Sequence, residues 1–559
     1  MSYDLFFISS LEKVFPEGGI LPAERISNVV GYLGQRISFQ AAYCFHGEYY
    51  VDQTLIQATR VPYVNFKVQT DFEGELQIRK VECVPVKFPC YQEHDFAYLR
   101  DSAGLYPDLL LPVEKGLHIG IEQWRALWID CFIPEGAKGG DRKIELIFIT
   151  ENGEEVVRAD INLHIVPTAL PKQKLIHTEW FYADCLADYY QCEVFSEKHW
   201  EIIEEFMKTA VKNGINMIFT PLFTPALDTL IGGERTTTQL IQIECKEGEY
   251  HFDFSLLHRW LELAKKIGYE YFEMSHLFSQ WGAKYPPKVV ARMNGKEEKI
   301  YGWHTTVEES NYAEFLNKFL PELVEELKKS GVEKKTFFHI SDEPTKYNAE
   351  TYQKAYNIVI SHIQDFPIID ALSHLELYQN GIVQKPIPSN DHVHSFLDAG
   401  LKDGWTYYCC GQPDAVSNRF MAMPLWRTRI LGAQLYKYQM EGFLHWGYNF
   451  YNSQYSIHKI NPFLVNDAED AFPAGDAFLV YPGVDGKPLE SIRLLAMADA
   501  MRDVQAYQLL ETYTDREFVM NILEENGKKK LRFDKFPSEP NFLLKIWQKI
   551  ADEIEKRLQ

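Results

Sequence analysis

The chain has 559 residues, a formal net charge of -22, 46% hydrophobic and 24% charged residues, the balance of an ordinary globular protein long enough for two or three modules. Acidic and basic residues are interspersed, so the net negative surface excludes nucleic acid and anionic membranes as partners and leaves a small molecule as the expected ligand. The nine Cys are scattered without a C-x-x-C spacing, which excludes a disulfide or zinc framework and points to reduced thiols.

The N-terminus, MSYDLFFISSLEKVFPEGG, lacks a basic start and an uninterrupted apolar stretch, so no secretion signal is expected. No run reaches the ~18 apolar residues of a membrane-spanning helix, and a cytoplasmic location is expected. To about residue 166 the pattern is of short alternating segments, such as Val64, Phe66 and Val68, then Ile161, Leu163 and Ile165. Such alternation gives strands with one buried face, and Asn152-Gly153 reads as a hairpin turn with both residues at positive φ. Residues 1–168 are therefore expected to form an antiparallel β-sandwich accessory domain, with a boundary near Pro167 and Pro171.

Beyond that boundary amphipathic helices alternate with short apolar strands, the pattern of βα units around a parallel sheet. A strand over 175–182 precedes a helix starting at Ser196 and closed by Asn213-Gly214. A strand over 215–219 leads to a helix with Leu256, Trp260, Leu263 and Ala264 ending at Gly268, then to a strand over 269–274. A third helix ends at Gly331 before a strand over 336–340, and further strands are expected at 366–371, 382–387, 405–409 and 443–446. Eight strands over residues 169–515 fit a TIM-type (β/α)8 catalytic barrel, and 516–559 a C-terminal helical extension whose helix 542–558 packs through Leu543, Ile546, Trp547 and Ile550.

In such a barrel the chemistry lies at the carboxyl ends of the strands. Those positions hold Trp180, Tyr182 and Asp184, Met274-Ser275-His276, His339 to Glu343, and Trp446-Gly447-Tyr448-Asn449, a density of rings, imidazoles and acids that suits a carbohydrate. Asp342 and Glu343 in FHISDEP are the sharpest pair. Neighbours on a regular strand point to opposite faces, so these two share a pocket only if the chain is already turning. Their mutual repulsion would help keep Glu343 protonated as an acid. Adjacent acids are too close for a two-carboxylate retaining scheme with carboxyls ~5 Å apart across the bond, whereas a 2-acetamido substrate supplies its own nucleophile. Asp342 would then orient the amide, and Glu343 would serve as general acid and base.

The segments FHISDEP, MSHLFSQWGAKYPP, GFLHWGYNFY and GDAFLVYPGVDGKPLESIRLLAMADAMRD resemble the glycoside hydrolase family once labelled domain of unknown function 4091, related to glycoside hydrolase family 123, over about residues 1–515. That resemblance implies a sandwich before a TIM barrel and substrate-assisted β-N-acetylgalactosaminidase activity, with the family's acid pair at Asp342 and Glu343. It also implies pocket roles for His276, Trp281, Tyr378, Trp446 and Asn449. From their positions at strand ends, Trp180, Tyr182 and one of the alternating pair Tyr407 and Tyr408 are expected there as well, with two of Trp180, Trp281 and Trp446 acting as sugar platforms.

No metal and no cofactor are expected, since His276 and His339 have no companion ligands at useful spacing and no phosphate-cradling glycine loop is present. Arg493 and Arg502 are expected in structural ion pairs. A glycosidase for a non-acetamido sugar, with Glu273 or Asp184 as second carboxylate, is the alternative enzyme; a non-catalytic carbohydrate-binding barrel is the other. A homo-oligomer stays open.

Overall fold

A computed structural model describes residues 2–17, 24–47, 63–113, 116–539 and 541–558. The N-terminal part is two five-stranded sheets. One orders Ser2–Ser9, Arg36–His46, Arg125–Phe132, Glu75–Val86 and Gly104–Pro112, antiparallel throughout. The other orders Asn28–Leu33, Glu155–Ala169, Gly140–Ile149, Tyr63–Thr70 and Leu117–His118. Its first pair runs parallel, which corrects the all-antiparallel expectation. Alternate residues of these strands, among them Phe39, Ala41, Leu146, Phe148, Ile161, Leu163 and Ile165, fill one core. The turn forms, but only Gly153 has positive φ (85°), because it is centred on Glu151-Asn152, with Gly153 N donating to Thr150 O (2.9 Å) and Gly153 as the left-handed residue that follows. The C-terminal helix Phe542–Leu558 joins this same core, with Trp547 edge-on to Tyr32 and its Nε1 donating to Val30 O at 2.9 Å.

The second part is α/β. A six-stranded parallel sheet runs in the order Thr336–Phe337, Tyr271–Met274, Met217–Thr220, Ile176–Glu179, Gly442–His445, Trp405–Tyr407. Ile369–Ala371 and Lys385–Ile387 form a separate parallel pair, joined to the sheet's two ends by single parallel bridges, Phe338 to Ile368 and Ser389 to Tyr407. All eight expected strand positions are strands, most of them shorter than the apolar run that marks them. The helix–glycine–strand junctions form as read: Ser196 caps Glu197–Lys212 by accepting from His199 N, and Gly214, Gly268 and Gly331 all have positive φ.

Some elements escaped the pattern. Helix Ala183–Tyr190 follows the first strand directly, and a four-stranded sheet of Glu249–Asp253, Gln242–Lys246, Val289–Met293 and Lys296–Tyr301 is inserted among the βα units. Its turns, Glu247-Gly248 and Asn294-Gly295, have positive φ at both residues, the geometry expected of the sandwich hairpin instead.

A buried polar seam joins the two parts. Arg79 donates to Glu490 Oε2 (2.6 Å) and Asp130 Oδ2 (2.5 Å), Arg36 to Asn213 Oδ1 (3.0 Å), and Asn213 Nδ2 to Glu490 Oε1 (2.8 Å). Arg493 forks onto Asp108 at 2.7 and 3.0 Å, and Arg502 pairs with Asp499, so both arginines are in ion pairs as read.

Candidate active site

The strand ends surround a cavity of about 250 Å3. Seven of the eight strands contribute through their last residue or the loop after it: Trp180 and Tyr182, then Leu227 and Asp228, Gln280 and Trp281, Asp342 and Glu343, Ala371, Tyr407, Cys409 and Cys410, and Trp446; Lys385–Ile387 supplies none. A cleft of about 290 Å3 between the sandwich and the C-terminal helix lacks this chemistry, since its Arg429, Asp499 and Arg502 already pair with one another or with Asp503.

Asp342 and Glu343 both front the cavity because Glu343 takes a left-handed conformation, φ 47°, which undoes the strand's alternation just before Pro344. Three more lining residues, Asp228 (φ 41°), Trp281 (56°) and Tyr455 (58°), share that uncommon geometry, which costs roughly 1–3 kcal/mol each and is retained where the surrounding structure imposes it. Gln280 Nε2 donates to Asp342 Oδ2 (3.0 Å), while its Oε1 accepts from Asp228 N (2.7 Å); Trp281 N donates to Asp342 O (3.0 Å). The Tyr407 hydroxyl donates to Glu343 Oε1 at 2.6 Å.

Asp342 is 5% exposed, and its carboxyl lies well above the usual range, raised first by burial and then by the charge of Glu343. Of the two acids, Asp342 is the more deeply buried. Asp228 is pushed up to about 6 by burial, and its Oδ2 accepts from Tyr455 N at 3.1 Å.

Under the cavity lies a buried polar stack. Glu273 accepts from Thr178 Oγ1 (2.5 Å), Trp180 Nε1 (2.7 Å) and His339 Nε2 (2.6 Å), and His339 Nδ1 meets Asp370 Oδ1 at 3.2 Å. Although burial opposes its charge, the bonds to Asp370 and Glu273 raise His339 to about 9. His276, His339 and Asp370 bring ligand-type atoms within 4.8 Å of one another, but an imidazolium donating from both nitrogens has no lone pair for an ion. On the sandwich, Cys44, His46 and Glu122 also cluster, with both His46 nitrogens facing carboxylates of Glu122 and Asp4.

Five of the eight expected pocket residues besides the acid pair line the cavity: Trp180, Tyr182, Trp281, Tyr407 and Trp446. All three tryptophans are there, one more than expected, and of Tyr407 and Tyr408 only the first faces in. Three do not line it. His276 is buried beneath, stacked on His339 at 4.2 Å and edge-on to Trp180, because the chain turns its ring down after Met274. Asn449 clamps the backbone of Tyr182, accepting from its N (2.8 Å) and donating to its O (3.0 Å). Tyr378 packs on Phe396 from the short helix Leu375–Gln379.

The candidate partner carboxylates are committed elsewhere, Glu273 to the stack and Asp184 to a buried fork from Arg235 at 2.8 and 2.9 Å. The sequence reading missed Asp228, Gln280, Gln454 and Tyr455, which lie on loops without periodicity, and Cys409 and Cys410, at and just past the end of the strand expected over 405–409. Among the described residues, no helix is long and apolar enough to cross a membrane.

Comparison with known proteins identifies the family and the fold. Residues 180–510 match the profile of the glycoside hydrolase 123 catalytic domain. A family 123 glycoside hydrolase from Clostridium perfringens, described for glycolipid glycan hydrolysis, superposes with a TM-score of 0.72 at 15% identity, over 99% of this chain and 98% of that one. An endo-β-1,4-mannanase from Thermotoga petrophila (TM-score 0.33, 10% identity, 60% of this chain and 77% of that one) is too distant in shape to inform the site. The same is true of a β-glucuronidase from Parabacteroides merdae (TM-score 0.31, 10% identity, 84% and 51%). No curated protein sequence matches.

Proposed function

The chain belongs to glycoside hydrolase family 123, and from that premise we propose that it is an exo-acting β-N-acetylhexosaminidase, with terminal β-N-acetylgalactosamine as the sugar removed. The observation that carries this reading is the adjacent pair Asp342 and Glu343 facing one small cavity, with both earlier candidate partner carboxylates withdrawn into ion pairs.

With the second acid of the pair beside Glu343 and not across the bond from it, the substrate's own acetamido oxygen attacks the anomeric carbon and closes an oxazoline. Asp342, held by Gln280, accepts from the amide N–H and offsets the positive charge that develops on it. Glu343, oriented by Tyr407, protonates the leaving oxygen and then takes a proton from the water that opens the oxazoline. Trp180, Trp281 and Trp446 offer faces to the sugar, and Asp228 an acceptor for a hydroxyl. The Clostridium perfringens relative is described for glycolipid glycan hydrolysis, which fits a carbohydrate substrate here.

A second reading rests on Asp228, the one further carboxylate lining the cavity among the described residues, as partner in a two-carboxylate scheme for a plain hexoside. A panel of 4-nitrophenyl glycosides separates the two. Cleavage confined to β-GalNAc or β-GlcNAc, blocked by a thiazoline that mimics the oxazoline, supports the first; thiazoline-insensitive cleavage of plain hexosides supports the second, and no cleavage the binding barrel.

We also read the eight parallel strands as one closed (β/α)8 barrel, which the two single bridges at Phe338–Ile368 and Ser389–Tyr407 support. Residues 1–168 and 169–515 remain our proposed domains; helix Phe542–Leu558 of the 516–559 extension shares the sandwich's core and would fold with it.

A further inference from the structure

We infer that Cys409 and Cys410 form a vicinal dithiol in the cavity wall that captures trivalent arsenicals through both sulfurs and so blocks the pocket. On a continuing strand two neighbours would face opposite ways. Here the strand Trp405–Tyr407 has ended and the chain turns at Cys410-Gly411, so both half-buried cysteines front the same cavity. Cys409 Sγ is held within 3.4 Å of both Gly411 N and Gln412 Oε1. The Cys409 thiol is raised well above its usual range, first by its hydrogen bond with Cys410 and then by burial, so the pair rests as two protonated thiols.

A direct disulfide between them is disfavoured. Adjacent Cα atoms lie ~3.8 Å apart, short of the ~4.4–6.8 Å that disulfides span. An arsenic atom between the sulfurs lengthens that closure. The step balances: R–As=O and two R′–SH give R–As(SR′)2 and water, two As–S bonds replacing the As=O bond, both thiol protons leaving in the water, and arsenic remaining trivalent. No other two of the nine Cys are adjacent in sequence, and Cys44, Cys90, Cys131, Cys185 and Cys245 are buried. The adduct would sit beside Glu343, whose charge is among the influences on the Cys409 thiol, in a cavity of only about 250 Å3.

The test is intact-mass and peptide analysis of the full chain treated with phenylarsine oxide. One arsenical should survive a 2-mercaptoethanol wash, leave with 2,3-dimercaptopropanol, and map to the peptide holding Cys409 and Cys410. Cys409→Ser and Cys410→Ser should each lose the monothiol-resistant adduct while melting as the parent does, and Cys192→Ser should keep it. No resistant adduct in the parent, or one that persists in both Ser variants, overturns the site. Mass does not depend on which glycoside is cleaved, so this result stands apart from the substrate reading. Hydrolysis should fall in proportion to adduct; full hydrolysis with the adduct in place overturns the blockade.

Discussion

The Tyr407 hydroxyl lies 2.6 Å from Glu343 Oε1, and it comes from a strand on the opposite end of the six-stranded sheet from the strand that leads to Glu343. A short bond of this kind across the cavity holds the carboxyl of a residue whose own backbone is in the left-handed region. Hydrogen bonds to charged groups contribute roughly 1.5–3 kcal/mol, so Tyr407→Phe should lower kcat/KM about tenfold to a hundredfold with little change in melting temperature. A loss of under twofold would show that Tyr407 does not position the acid.

Glu343→Gln should slow substrates with poor leaving groups by roughly 10²–10⁴ and spare activated aryl glycosides in part, because only the former need proton donation. Asp342→Asn should slow both classes alike, since the amide must be oriented whatever leaves. The check is a leaving-group series on each variant; matching, negligible effects would remove both roles.

Asp342 must ionise to receive the amide while Glu343 keeps its proton, and burial holds Asp342 up, so the acid limb of kcat/KM should lie above the ordinary carboxylate range. Gln280→Ala removes the hydrogen bond that favours the Asp342 carboxylate and should move that limb to higher pH, measured with activated aryl glycosides. A limb unmoved by the substitution would mean that Asp342 does not set it.

How much of this could be read beforehand differs by residue. An Asp-Glu step alone says little, and the FHISDEP pair, like Trp180, Trp281, Tyr407 and Trp446, was legible from its position at the end of an expected strand, where βα units gather their side chains on one rim. His276 sits at an equivalent position, two residues past Met274, yet its ring turns down onto His339, and nothing in Ser275-His276-Leu277 distinguishes up from down. Asp228 meets Tyr455 only through the fold, across 227 residues of chain, so no local pattern announces it. The inserted sheet was in principle legible from Asn294-Gly295, a two-residue turn after the short run Val289–Met293, but the strand that follows, Lys296–Tyr301, is polar and lacks an apolar alternation to flag it.

Asp228→Asn should raise KM with a smaller effect on kcat if its carboxylate grips a hydroxyl, and a deoxy substrate lacking that hydroxyl should erase the difference between variant and parent. A collapse of kcat with KM unchanged would favour the two-carboxylate scheme.

The seam between sandwich and α/β part gives a stability prediction. Burial works against the Glu490 carboxylate, but Arg79 and Arg36 hold it down to about 2, below its unfolded value. The folded state therefore binds fewer protons: this stabilisation is complete above about pH 4.5 and is lost as pH falls toward about 2. Glu490→Gln leaves Arg79 and Arg36 short of a buried partner and should cost roughly 3–5 kcal/mol at neutral pH, with a shallower acid-unfolding profile in denaturant titrations. An unchanged neutral stability would mean that the seam is solvated.

Substrate assistance is tested most directly by the nucleophile itself. In a series of aryl β-N-acylgalactosaminides carrying acetyl, fluoroacetyl, difluoroacetyl and trifluoroacetyl groups, fluorine withdraws electrons from the amide oxygen while barely changing its size. The expected result is a steep fall in kcat/KM with each added fluorine, retained in Glu343→Gln with a good leaving group. Rates that ignore the fluorine would contradict attack by the amide and return the nucleophile to the protein.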